Sequence, residues 1–324
     1  MIIQESSVFC ELTKQQLDKI IMSCLGFEII NYKLMLGGMF NTTYFVSTKS
    51  GEYILSVGPV NRHLIMPFEH NCMLTEYMIF DIMKQNGIPC SEVVHFDNSK
   101  TIIDRDFMVI KYIKSYLISD IEIYYPGQKA NIMEKFAKEV KKIHSVKSKY
   151  FGRIQDVRDG KGFEKQSEFI HKELNDWISV AKNTDFFNRN DFVKLTTVFE
   201  KFYPLLDKVK EASLVHGDIA LTNALITTEG NTPEIAAIID PERGFWGDSE
   251  FDLAMIGYLV EDGFIKGYGD IFSCDEDTKI RRKVYELLRR MFDCYVWGAE
   301  YNQPQNMMEM KKFINNRITE LMNY

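Results

Sequence analysis

Three side chains in the middle of the chain have the types and spacing for phosphoryl chemistry. In Leu214-Val-His-Gly-Asp-Ile-Ala-Leu-Thr-Asn-Ala-Leu-Ile226, a polar loop holding His216, Asp218 and Asn223 lies between two apolar, strand-like runs. A second carboxylate loop follows at once, Ala236-Ala-Ile-Ile-Asp240-Pro-Glu-Arg-Gly-Phe-Trp-Gly-Asp248-Ser-Glu-Phe-Asp252. Moving a phosphoryl group off a nucleotide asks little covalent chemistry of a protein. It needs a carboxylate to orient or deprotonate the attacking hydroxyl, and oxygen ligands to hold Mg²⁺ on the phosphates. An Asp five residues before an Asn, with another Asp ending a short apolar strand soon after, supplies that set. A metal-dependent hydrolase could also use clustered Asp and Asn. It would ordinarily add His ligands, and His216 is the only His beside these carboxylates. Taken singly, an Asp is most often a turn or a cap, and a lone His a satisfied core residue. The joint pattern, in order and between strand-like runs, is what carries the reading.

His-Gly-Asp, then Ile-Asp-Pro-Glu, then Gly-Asp-x-x-Phe-Asp-Leu-Ala resembles the aminoglycoside phosphotransferase and choline kinase-like family, small-molecule kinases with the protein kinase-like fold. The resemblance covers nearly the whole chain and is most specific at 214–254. It implies an α+β, bilobal molecule with a small antiparallel-sheet N-lobe and a larger helical C-lobe. The N-lobe with its hinge would span 1–113, and the C-lobe 114–324. It implies ATP (GTP is not excluded) and Mg²⁺ as cofactors. Asp218 would be the catalytic base, Asn223 and Asp240 would hold Mg²⁺, and Asp252 would brace the catalytic loop. A protein kinase is disfavoured, because no Lys follows two residues after Asp218 and no Ala-Pro-Glu element follows Asp240.

These groups need elements to position them. Apolar residues at Leu12, Leu17, Ile20, Ile21 and Leu25 predict a helix from about Thr13 to Gly26. Strands are predicted over 27–35, 43–48 and 53–57, with a turn at 49–52. Between the first two lies Leu36-Gly-Gly-Met-Phe-Asn-Thr42, where paired glycines allow close backbone approach to phosphates. By position it resembles the family's nucleotide loop, which would involve Gly37, Gly38, Asn41 and Thr42. The family's third strand carries a cation for the phosphates, but here Tyr53-Ile-Leu-Ser-Val57 puts Ser56 in that place. A helix over 67–85 sets Glu76 where that cation's partner belongs. Arg62, first, or Lys33 could stand in. Strands over 91–96 and 106–113 follow, with Ile110 as gatekeeper and Lys111 to Ile113 as the adenine-binding hinge. Helices are predicted from about 127 to His144, over 163–183, 192–209 and 251–260, and from 279 to 301 onward. His144 reads as a helix C-terminal residue rather than a ligand.

Composition sets the frame. A chain of 324 residues, 45% hydrophobic and 26% charged, can bury a large core and is expected to split in two. A net charge of −7 argues against a nucleic-acid binder and mildly favours a neutral or cationic partner. Six cysteines lack Cys-x-x-Cys spacing, so neither a zinc site nor disulfides are expected. With no apolar run of membrane-spanning length and no signal-like start, a cytoplasmic protein that binds no membrane is expected. The acceptor is expected to be a small hydroxyl compound, polar and cationic rather than anionic. The acids Glu261, Asp262, Asp275, Glu276 and Asp277 motivate that sign. A competing reading is a kinase-like binder with little or no transfer activity, which Ser56 motivates.

Overall fold

A computed structural model describes residues 6–255, 262–269 and 274–324. It begins with α1 (Lys14–Leu25), β1 (Ile29–Leu34), β2 (Thr42–Thr48), β3 (Gly51–Val57), α2 (Cys72–Gln85), β4 (Val93–Asp97) and β5 (Phe107–Lys111). Strands β1-β2-β3-β5-β4 form one antiparallel sheet. Helix α1 begins and ends where its signals lie. Thr13 and Gln16 make a capping box, and Gly26 closes it at φ 73°. Its buried face (Leu17, Ile20, Ile21) packs on Tyr44, Val46, Leu55, Val57 and Val109 of the sheet, making a small closed core.

The opposite face of the sheet carries Thr43, Phe45, Ile54 and Ser56, since partners across a ladder share a face and residues two apart do too. Met108, opposite Ser56, already belongs to the larger core. Helix α2 belongs there as well, through Cys72, Met73, Ile79, Phe80 and Met83. The sequence predicts one helix over 67–85. The structure divides it into a 3₁₀ turn, Pro67–Asn71, and then α2, with the Glu69 carboxylate accepting the Met66 amide at 2.9 Å.

Beyond the hinge come β6 (Ser115–Leu117), α3 (Ile121–Tyr124), α4 (Lys129–Ser145), β7 (Lys147–Ser148), β8 (Gly152–Arg153), α5 (Ile154–Arg158), α6 (Gln166–Ala181) and α7 (Arg189–Leu206). Then follow β9 (Ala212–Val215), β10 (Ala224–Thr227), β11 (Ile235–Ile238), β12 (Phe245–Gly247), α8 (Glu250–Met255), α9 (Asp262–Tyr268), α10 (Glu276–Tyr295) and α11 (Pro304–Met322). The strands form two small sheets, β11-β10-β6 and β7-β9-β12-β8. Helices surround them, sharing one core whose largest fully buried side chain is Trp177. This is the expected α+β bilobal, kinase-like arrangement. The helical segment expected from 279 to 301 and onward comes as two helices, α10 and α11. A π-helical turn over Val296–Glu300 and a left-handed Asn302 (φ 51°) break it, and Pro304 starts α11. Among the described residues no helix is long and apolar enough to cross a membrane.

Candidate active site

The catalytic loop runs from β9 to β10, and backbone geometry holds it. Gly217 has φ 82°, and a Cβ there would meet the Arg243 carbonyl at 2.6 Å, so no other residue fits. The Asp252 carboxylate accepts the amides of His216 at 2.8 Å and Gly217 at 2.9 Å, and its Oδ2 lies 3.0 Å from His144 Nε2. Asp252 therefore braces the loop. His144 ends α4, but its ring is pinned between Asp252 and the Tyr268 hydroxyl rather than merely facing a helix dipole. His216 is a satisfied core histidine. Its Nδ1 accepts the Asp218 amide, its Nε2 meets the Ile239 carbonyl, and burial lowers its pKa.

Strand register brings the three sequence-marked residues together. Ala224 of β10 pairs with Ile238 of β11, and the Ile239 amide donates to the Asn223 carbonyl at 2.9 Å. Asp240 is the next residue, so it stands beside Asn223. Its φ of 64° is left-handed, an unusual conformation for a residue other than glycine, at a cost of roughly 1–3 kcal/mol. Asn223 donates its amide nitrogen to the Asp218 carbonyl at 2.9 Å and to Asp218 Oδ2 at 3.1 Å. That leaves the Asn223 amide oxygen as the atom free for a cation. Burial, then the Asp218 charge, pushes the Asp240 carboxyl up to about 6.

Asp218 is partly exposed. Burial alone would raise its pKa, but the guanidinium groups of Arg289 and then Arg243 overcome this and hold it at about 2. Arg289 donates to Asp218 Oδ1 at 2.8 Å and to Asp293 Oδ1 at 2.9 Å, and a third contact reaches the Gly217 carbonyl. Neither Arg243 nor Arg289 was marked in the sequence. Arg243 follows Asp-Pro-Glu directly and could have been suspected. Arg289 sits in an ordinary amphipathic helix with no local signal.

The opposite wall is differently equipped. Gly37 (φ 129°) and Gly38 are exposed at the turn between β1 and β2, with Met39 and Phe40 buried behind them. Asn41 donates to Glu242 Oε2 at 2.7 Å, joining this loop to the Asp240 segment, and its own amide oxygen is buried without a partner. Thr42 turns away. Its hydroxyl donates to the Cys10 carbonyl and accepts from Arg105, on the α1 side of the sheet, so its side chain points away from the Ser56 face. Ser56 lies on the sheet face away from α1, and Glu76 is 7% exposed with no hydrogen-bond or ion-pair partner among the described residues. Burial, then the Asp240 charge, raises Glu76 well above the ordinary carboxylate range.

Of the two substitute cations, Arg62 is committed elsewhere, to Asp106 at 3.2 Å and the His70 carbonyl at 2.9 Å. Lys33 lies opposite Phe45, on the Ser56 face, exposed and two strands from Ser56. In the hinge, the Lys111 amide donates to the Glu92 carbonyl and the Tyr112 amide to that of Glu52. The Lys111 ammonium pairs with Glu92 at 2.7 Å, while the Ile113 amide has no partner among the described hydrogen bonds. The acids behind the expected cationic acceptor do not gather here. Asp275 caps α10 through the Thr278 amide, Glu276 pairs with Lys279, and Asp277 pairs with Lys208 at the surface. Glu261 lies outside the described residues, as does the side chain of Asp262.

The donors near Asp240 fit Mg²⁺. They are oxygen atoms, two in number from protein, and no group of three or more His, Cys, Asp or Glu is arranged to hold a metal among the described residues. Mg²⁺ is ordinarily held by one or two carboxylate or carbonyl oxygens, completed by phosphate and water.

Residues 11–316 match the fructosamine kinase family. The chain belongs to that family. It is a small-molecule kinase. Its fold is similar to a protein provisionally described as a fructosamine-3-kinase from Haemophilus somnus 129PT, at 14% identity and TM-score 0.64, over 94% of this chain and 97% of that one. The aminoglycoside phosphotransferase APH(4)-Ia is similar at 14% identity and TM-score 0.66, over 95% and 99%. A thermostable mutant of that enzyme, in ternary complex with AMP-PNP and hygromycin B, is similar at 13% identity and TM-score 0.66, over 94% and 98%. No curated protein matches.

Proposed function

We propose that this fructosamine kinase family member transfers the γ-phosphoryl group of ATP to a hydroxyl of a small sugar-like acceptor. A fructosamine, a sugar bearing an amine, is the leading acceptor class, as family membership suggests. Fructosamines are polar and carry a basic nitrogen, which agrees with the sign expected from composition. The observation that carries the reading is the β10–β11 register, which sets Asn223 and Asp240 side by side with Asp218 hydrogen-bonded to Asn223.

In this reading the adenine lies against the hinge, where the unpartnered Ile113 amide donates to it and Lys111 contributes backbone. Gly37, Gly38 and the backbone of Asn41 and Thr42 cover the phosphates. Bound through Asn223 Oδ1 and Asp240, Mg²⁺ would neutralise charge on the transferring group. Asp218 accepts a hydrogen bond from the acceptor hydroxyl and aims its oxygen at phosphorus. The acceptor oxygen bonds to the γ-phosphorus as the bond to the bridging oxygen breaks, and ADP leaves. A carboxylate with a pKa of about 2 is a weak base, so Asp218 orients first and takes the proton late, as a loose transition state permits.

The test is nucleotide consumption over a panel of fructosamines, aminoglycosides and other hydroxyl compounds, with Asp218→Asn as the blank. Turnover should appear on at least one fructosamine and fall by roughly 10²–10⁴-fold in the blank, while nucleotide affinity stays near native. Near-native turnover in the blank would overturn the site. The competing reading, a weak nucleotide binder, draws on the unpaired Glu76 behind Ser56. Micromolar ATP binding together with turnover would remove it.

A further inference from the structure

Arg289 reaches the catalytic loop from α10, 71 positions further along the chain. Its guanidinium meets three oxygens at once: Asp218 Oδ1, the Gly217 carbonyl and Asp293 Oδ1. Asp293 lies four residues on in the same helix, so one turn of α10 holds the arginine in place before the loop is met. Asp293 also receives Arg243 at 3.7 Å and Arg290 at 3.3 Å, so the support is a network rather than a pair. The Arg289 side chain is 13% exposed.

We propose that Arg289 is the positioning residue of Asp218. It fixes the carboxylate rotamer through Oδ1, so that the acceptor hydroxyl is received at Oδ2, beside Asn223. The inference rests on the kinase reading of Asp218. A guanidinium stays charged across the working range and cannot take or give the proton itself. Its planar fork, gripping a carboxylate and the preceding carbonyl together, removes the torsional freedom that a lone aspartate would retain. Without it, one oxygen of Asp218 is unheld and Asn223 alone sets the rotamer. Misplacement of a reacting group by an ångström costs on the order of a hundredfold in rate.

The experiment uses the full chain, fructosyl-glycine as acceptor, and water as acceptor in a second assay of nucleotide hydrolysis. In Arg289→Ala, kcat should fall at least a hundredfold, while the Kd for Mg²⁺-ATP and the acceptor KM stay within about threefold. Guanidinium at millimolar concentration should restore part of the lost rate, as a merely structural residue would not allow. Arg289→Lys, which keeps charge and stem, should fold and lie between the two. A kcat for Arg289→Ala within threefold of native would overturn the inference, as would equal losses in Kd and kcat. If the alanine variant fails to fold, a fully active Arg289→Lys overturns it and a partly active one supports it. Asp218→Ala is run beside them. If that variant stays active, or the native chain uses neither acceptor, the kinase reading of Asp218 fails and takes this inference with it. An inactive Asp218→Ala with a normal Arg289→Ala sinks the positioning role alone.

Discussion

The two walls of the cleft are built to different standards. On the C-lobe side Asp218 is held by Arg289 and Asn223, and the loop backbone by Asp252. On the N-lobe side Ser56 supplies a neutral hydroxyl, Glu76 is buried unpaired, and Arg62 is turned to Asp106. One wall is preorganised for transferring a group, and the other is short of a positive charge for the nucleotide that brings it. The contrast teaches that a catalytic motif and a nucleotide-affinity motif can vary separately on one fold. The missing charge should appear in nucleotide affinity rather than in the chemical step.

Breaking the ordered wall should produce the largest effect. Asp252→Ala removes the acceptor for two loop amides and the partner of His144, leaving buried polar groups unmet. A stability loss of roughly 3–5 kcal/mol in urea unfolding is expected, with turnover lost even where the chain remains folded. A loss below about 1 kcal/mol would mean the loop is held by something else.

Completing the deficient wall should produce the next effect. A charge-assisted contact to phosphate contributes roughly 1.5–3 kcal/mol, so Ser56→Arg should tighten ATP binding by about one to two orders of magnitude in calorimetry. Unchanged or weaker binding would show that a cation already serves the site, with Lys33 the residue to mutate next. Asp240→Ala is the reciprocal change, and it should weaken Mg²⁺-nucleotide binding itself by tenfold or more, with ATP titrated at fixed Mg²⁺ as the measurement.

The smallest effect concerns pH. Burial, and then the Asp240 charge, raises the Glu76 pKa in the folded chain, whereas unfolded it titrates near the ordinary glutamate value. Between those two values the folded state binds the extra proton, so the free protein loses stability as pH rises through that window. Glu76→Gln abolishes this titration. Its urea midpoint should fall less than the native one between pH 5 and pH 8. Parallel midpoints would show that Glu76 has a partner in solution.

Much of this was legible from residue order. The Asp218, Asn223 and Asp240 arrangement lies within one hairpin and the loop that leads into it, so its geometry follows from local register, and the α1 caps are local too. What escaped was non-local. Arg289 meets Asp218 only because α10 packs back across the loop. The short strands β7, β8 and β12 are two or three residues long, too brief for periodicity to register. Thr42 could not be sorted from Thr43 without knowing which face of β2 meets α1. Nothing local in the sequence marked Glu242 as the partner that the fold brings to Asn41.

The placement of α2 has a further consequence, for control. In protein kinases the corresponding helix carries the glutamate in and out of the site, and activity follows its position. Here that helix buries Cys72, Met73, Ile79, Phe80 and Met83 in the core that also holds the catalytic body. Swinging it outward would expose those side chains at about 1.5–3 kcal/mol for each large apolar one, several times what a typical effector supplies. A swing of that helix is therefore too costly to serve as a switch, so supply of nucleotide and acceptor, rather than a moving helix, would govern turnover.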